Sequence, residues 1–245
     1  SLIEHKDELL SDKLLRYVMV PIFLMIWAGY EWGRYLHPTP PMPWIATACA
    51  CVVTAVCIPK ILKLSRQVKS LNRGIEGEKS VGQFLEQFRV NGYEVFHDIP
   101  GDSIKGEKHN IDHVMIGPGG VFTVETKYAQ KPSKGQCIIE KEGDALRING
   151  MEPSRNPIIQ SKAQGKELAR ILEASTGQKY AVQPIVVYPG WYIQNKTPDT
   201  SVLVLNEKMI AHALSNSNVS LAPDKIHLAA YHLSRHILSI DRDKK

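Results

Sequence analysis

Cysteine is scarce and poorly placed for a scaffold. The 245 residues contain four. Cys49, Cys51 and Cys57 crowd one apolar segment and Cys137 stands apart. No C-x-x-C pair and no histidines at zinc-finger spacing occur, which argues against a disulfide framework and a structural zinc site. Glycine and proline follow no period, and 43% of the residues are hydrophobic, which excludes a collagen and a disordered chain. No G-x-x-x-x-G-K-[ST], no G-x-G-x-x-G after a strand and no G-x-S-x-G is found, so P-loop, dinucleotide and serine-hydrolase chemistry have no support. A strongly basic soluble part is also missing. Of 30 basic and 25 acidic residues, nine and five fall in residues 1–73, giving +4 there and +1 in residues 74–245. The basic character therefore belongs to the first third and is not a nucleic-acid face on the rest.

What the chain does have is two long uncharged runs near its start. Tyr17 to Tyr30 is one, extending to Leu36 if Glu31 and Arg34 are admitted near an interface; Met42 to Pro59 is the other. The segment His37 to Pro41, with three prolines, separates them. Trp27, Tyr30, Trp32, Tyr35 and Trp44 cluster around that break, as an interfacial belt would. The pattern predicts a transmembrane helical hairpin. Lys6, Lys13 and Arg16 precede it, Lys60, Lys63, Arg66, Lys69 and Arg73 follow it, and Arg34 alone lies between the runs. By the positive-inside rule both termini face the cytosol, in a multi-pass protein of the inner (cytoplasmic) membrane. Ala46, Ala48, Ala50 and Thr54 are small residues suited to helix packing, so a homo-oligomer or a larger membrane complex is an expected partner. Ile61 to Arg73 continues as a basic amphipathic stretch or a solvated linker helix. The domain boundary is placed at residues 73/74, with a membrane hairpin and linker over 1–73 and a soluble domain over 74–245.

Periodicity over the soluble part predicts helices near 75–90, 156–175, 206–215 and 224–239. Strands are predicted near 93–98, 109–116, 121–128, 183–188 and 201–205, with a hairpin over 136–149. The class is α/β in the α+β sense, with a central sheet. Gly117, Pro118, Gly119 and Gly120 form a turn signal between two apolar, β-branched runs. That turn opposes Ile116 to Val121, Val114 to Thr123 and Asp112 to Glu125. Asp112, Glu125 and Lys127 then share one face, with the two carboxylates about 5 Å apart. Like charges so placed repel unless they share a cation or a proton. Glu78 falls on one helical stripe with Val81, Leu85 and Phe88, so a third acid faces inward. Gln160 opens a helix after the Asn156-Pro157 cap, and its face reads as a solvated surface. His113 points away from Asp112 and reads as structural. Lys105, Lys108 and His109 are either phosphate contacts or an ordinary wet loop.

Gly77-Glu78, Ile111-Asp112-His113 running into the Gly117–Gly120 turn, and Glu125-Thr126-Lys127 resemble the NERD (nuclease-related) domain. That domain is similar to the PD-(D/E)xK nuclease superfamily; the proline preceding its aspartate is absent here, Ile111 taking its place. The resemblance covers roughly residues 74–190. It implies a restriction-endonuclease-like core, a central mixed sheet flanked by helices. It also implies metal-dependent phosphodiester hydrolysis: Asp112, Glu125 and the Thr126 carbonyl would hold Mg²⁺ or Mn²⁺, Glu78 would contribute directly or through water, and Lys127 would act on the attacking water. It places a glutamine, Gln160, near the site. The expectation is a membrane-tethered nuclease acting on nucleic acid, with DNA ahead of RNA. The alternative is a catalytically silent nucleic-acid-binding or assembly module that keeps the nuclease-like fold.

Overall fold

The structure, a computed structural model, describes residues 6–7, 9–35, 43–101, 110–132 and 135–243. The proline-rich break and the loop positions Lys105, Lys108 and His109 lie outside the described residues. The chain divides into two compact units, Ser1–Ile75 and Glu76–Lys245.

In the first unit, a π-helical turn Leu9–Leu14 leads into helix α1, Leu15–Arg34. Helix α2 then runs from Pro43 to Glu86 without interruption. The sequence suggested a stretch continuing past Pro59 to a boundary near Gly74, and a separate helix over 75–90. Neither residue stops the helix. Pro59 removes one backbone donor and Gly74 costs on the order of 1 kcal/mol relative to alanine; 44 residues of continuous hydrogen bonding absorb both. Within the first unit α1 and α2 pack antiparallel. Lys60 Nζ lies 5.0 Å from the Tyr17 ring centroid at one end. At the other, Trp32 Nε1 donates to Thr47 Oγ1 at 2.9 Å and the Trp32 and Trp44 rings meet edge-on at 4.9 Å. Ala28, Ala46 and Ala50 are buried together against Leu24. Ala46 and Ala50 therefore serve packing inside the chain, whereas Ala48 is exposed. Among the described residues one helix, Pro43–Asn91, is long and apolar enough to cross a membrane. The other half of the expected hairpin, α1, falls short because Arg16, Glu31 and Arg34 dilute its apolar run.

In the second unit a mixed five-stranded sheet has the order β1-β2-β3-β6-β8. Its strands are β1 Glu94–Pro100, β2 Asn110–Gly117, β3 Gly120–Thr126, β6 Val182–Val187 and β8 Leu203–Leu205. β1, β2 and β3 pair antiparallel; β3, β6 and β8 pair parallel. A second sheet, β5-β4-β7, joins the expected hairpin (β4 Ile138–Glu142, β5 Ala145–Ile148) to β7 Tyr192–Asn195. The strand β7 was not foreseen: four residues, three of them exposed, carry no usable alternation.

Helices cover both faces of the main sheet. On one, Val81 and Leu85 of α2 join Ile210 and Leu214 of α4 (Ile210–Ser215) against Val95, Met115, Phe122 and Val124. On the other, Leu168 and Leu172 of α3 (Pro157–Thr176) and Ala229 and Leu233 of α5 (Pro223–Asp243) pack on Val114, Ile116 and Val121. Each fully buried Leu or Ile of these layers contributes about 1.5–3 kcal/mol. Helix α3 starts as the sequence suggests. Asn156 Oδ1 accepts from the Ile158 N–H at 2.9 Å, and Pro157 needs no donor at the first helical position. Gly177, at φ 70°, closes it. The architecture is mixed α/β with a central mixed sheet flanked by helices, consistent with a restriction-endonuclease-like core.

Candidate active site

The β2–β3 hairpin sets the geometry. Its ladder runs His113↔Val124, Val114↔Thr123, Met115↔Phe122, Ile116↔Val121 and Gly117↔Gly120. The next step of this register brings Asp112 opposite Glu125. Val114 and Val121, of the same parity, pack under Leu168, so both carboxylates look toward α3.

Helix α3 meets them with amides. Gln160 Nε2 donates to Glu125 Oε1 at 2.7 Å and Gln164 Nε2 donates to Oε2 at 2.6 Å. Lys127 Nζ ion-pairs with the same Oε1 at 2.5 Å and donates to Gln160 Oε1 at 3.0 Å. Glu125 is 2% exposed, and these three neighbours are its polar partners there. Asp112 Oδ2 accepts the Thr126 backbone N–H at 2.8 Å. Burial first, and the Glu125 charge second, push the Asp112 carboxyl well above the usual carboxylate range. Glu78 is raised too, by burial, then by Asp98 and Glu125.

The structure thus brings Asp112, Glu125, Thr126, Lys127 and Gln160 together, with Glu78 within electrostatic reach. It does not bring three acids into one cage. Among the described residues no group of three His, Cys, Asp or Glu side chains is placed to hold an ion. Glu78 comes from α2, whose Val81 and Leu85 pack on the sheet face opposite the one that Asp112 and Glu125 occupy, so it reaches the pair by its charge. The donors themselves, two carboxylates beside a main-chain carbonyl, still suit a hard divalent cation that keeps several waters.

Gln160 corrects the bottom-up expectation of a wet helix face: it is half-buried and bonded to both Glu125 and Lys127. Two further residues were missed. Gln164, 5% exposed, is one helical turn on and clamps the other Glu125 oxygen. Asp98 in β1 holds a left-handed backbone (φ 50°), accepts from Asn110 Nδ2 at 2.7 Å, and adds negative charge near Glu78. The strain at Asp98 costs about 1–3 kcal/mol and gathers where the acids do. Only the β1–β2 pairing could have disclosed it.

On the opposite face His113 Nδ1 and His97 Nδ1 share a hydrogen bond at 2.8 Å, and His97 Nε2 meets Glu86 Oε1 at 2.8 Å. Burial, then the His97 charge, lowers His113 to about 4 from 6.5. The folded chain thus binds fewer protons than the unfolded chain between those values. The stability His113 confers is complete above pH 6.5 and is lost as pH falls toward 4, a loss on the order of 3 kcal/mol. Urea melts at pH 7 and pH 4.5 should therefore diverge more for wild type than for His113→Gln.

A mixed α/β sheet carrying a carboxylate pair, one member half-buried and the other buried, with a lysine and helix-borne amides, is an architecture built around a polar site. Residues 73–189 match the nuclease-related domain, NERD. The chain is also similar to an uncharacterized protein of Bacillus anthracis, pXO1-01, at 34% identity over 76 residues, covering 31% of this chain and 35% of that one. It thus spans about a third of the length of the curated relative it matches. The crystal structure of a protein of unknown function, AF1548, aligns over 67% of this chain and 97% of that chain at 10% identity, with a TM-score of 0.29.

Proposed function

We propose that the chain is a membrane-tethered, cytosol-facing, metal-dependent nuclease that hydrolyses phosphodiester bonds, with DNA as the substrate ahead of RNA. One observation carries the chemistry: a carboxylate pair, half-buried Asp112 and buried Glu125, in a sheet that could have been apolar there. Burying such groups costs several kcal/mol that the fold itself has no need to spend. The nuclease-related domain supplies the reaction class.

Asp112, Glu125 and the Thr126 carbonyl would hold Mg²⁺ or Mn²⁺, with Glu78 acting through water. A bound cation would acidify a water and offset charge on the phosphate. Lys127, with its side chain 32% exposed, presents its ammonium from the same cluster to the attacking water or to a phosphate oxygen. Gln160 bonds both Glu125 and Lys127 and so fixes their separation. Gln164 stops Glu125 from rotating.

The tether is supported by the outward apolar surface of the first unit: Phe23, Ile26, Trp44 and Val52 are all exposed there, where water would penalise them. The antiparallel packing of α1 on α2 supports the hairpin form of the tether, with both ends on one side.

The silent-module alternative gains from the same geometry, because both oxygens of Glu125 already hold donors. The detergent-solubilised full chain separates the two. A nuclease nicks supercoiled plasmid with Mn²⁺ or Mg²⁺ and stops in EDTA. Plasmid retarded in a gel but never nicked, whatever the metal, would make it the silent module.

A further inference from the structure

A cavity of about 630 Å³ lies within the first unit, between the π-helical turn and the segment of α2 that follows Pro59. Lys13, Lys60 and Lys63 line it, together with Tyr17, Gln67 and Ser70. Among the described residues none that lines it is acidic. Three exposed lysines put their charges around one hollow, beside the buried Leu9 and Leu64. The described residues offer the three lysines no ion pair; Lys60 is held only over the Tyr17 ring. An anion between them offsets those charges.

The position of the cavity says which anion. The uncharged run of α1 begins at Tyr17 and that of α2 ends at Pro59, and both of those ends meet the cavity. The lysines therefore gather where the apolar surface stops, at headgroup level on the side of both termini. Gln67 and Ser70 add neutral donors, and Leu9 and Leu64 offer an apolar wall to the glycerol and first methylenes. The volume falls within the range of small-ligand sites.

We infer that this cavity is a binding site for the phosphate of an anionic phospholipid headgroup. The inference rests on the proposal that the first unit inserts in a membrane. Phosphatidylglycerol supplies the chemistry; free phosphate offers the same charge without the acyl chains.

The test uses the full chain in nanodiscs of phosphatidylcholine with and without phosphatidylglycerol, and in detergent with inorganic phosphate. Native mass spectrometry should show retained phosphatidylglycerol in preference to phosphatidylcholine. The triple variant Lys13→Gln/Lys60→Gln/Lys63→Gln should lose about a hundredfold in apparent affinity, since each lysine near an anionic headgroup contributes about a factor of five. Lys60→Arg/Lys63→Arg should retain binding. Unchanged far-UV circular dichroism excludes misfolding of the triple variant; if its helix content falls, the arginine pair against the single Lys60→Gln decides. Equal retention of both lipids, or saturation by inorganic phosphate alone, overturns the site. A carbonate wash distinguishes the two levels of failure. A chain that stays in the membrane without lipid preference sinks the cavity alone, and a chain that washes off sinks the tether with it.

Discussion

Asp112→Asn is expected to abolish plasmid nicking, by about 10³-fold or more, and at the same time to raise the midpoint of thermal unfolding in EDTA. The two effects have one cause. Losing a charged ligand removes several kcal/mol of stabilisation from a cation-assisted transition state. The same substitution removes a carboxyl that burial and the Glu125 charge hold well above its ordinary range. For an acid raised on folding, the folded chain binds the proton more tightly than the unfolded one. Its ionisation therefore costs stability at pH values above its folded pKa, and the cost disappears as pH falls below the unfolded value. Asparagine is isosteric, carries no charge, and still offers Oδ1 to the Thr126 N–H. Gln160→Ala and Gln164→Ala act through Glu125 and should reduce cutting by about 10–100-fold. A purely architectural carboxylate predicts otherwise: activity equal to wild type in Asp112→Asn, or a lowered melting temperature in EDTA, would refute the catalytic assignment.

Gly117→Ala is the second large effect, a destabilisation of about 3 kcal/mol and a fall in melting temperature of roughly 6–12 °C. A Cβ at Gly117 would clash with three ring atoms of Tyr93, which is 7% exposed and cannot swing into solvent without emptying part of the core. The Tyr93 hydroxyl also accepts the Gly119 N–H at 3.1 Å, so the ring is tied to the turn it would have to leave. Gly119 is no freer: a Cβ there would stand 2.8 Å from the Leu214 carbonyl oxygen. Thermal unfolding followed by circular dichroism measures the loss. Because the clash has one partner, Gly117→Ala combined with Tyr93→Ala should cost less than the two changes added together. Additivity would show that the strain lies elsewhere.

The residues differ in how far the sequence discloses them. The hairpin was legible because four consecutive turn residues fix its register, and register fixes which carboxylates meet. Glu78 was legible as inward-facing because Val81 and Leu85 carry its stripe. That it would stop within electrostatic reach of Asp112 and Glu125 without joining them was not legible, since a stripe says that a helix packs and not where. The contacts of Gln160 and Gln164 were hidden because the buried face of α3 is built from Ser161, Gln164 and Gly165 beside Leu168 and Leu172, and such a face looks wet. Gly165 belongs there for a reason of packing: a Cβ would come within 2.8 Å of Pro184. Glycine also misled along α2, where the boundary expected near Gly74 falls inside a continuous helix.

The turn of the β2–β3 hairpin spans only Pro118 and Gly119, because Gly117 and Gly120 already pair. Strand side chains alternate, so one residue gained or lost in that turn would send Asp112 and Glu125 to opposite sides of the sheet. The hairpin is consequently a ruler as well as a connector. Mutational drift can probe its chemistry one side chain at a time, but an insertion or deletion there would dismantle the carboxylate pair in a single step.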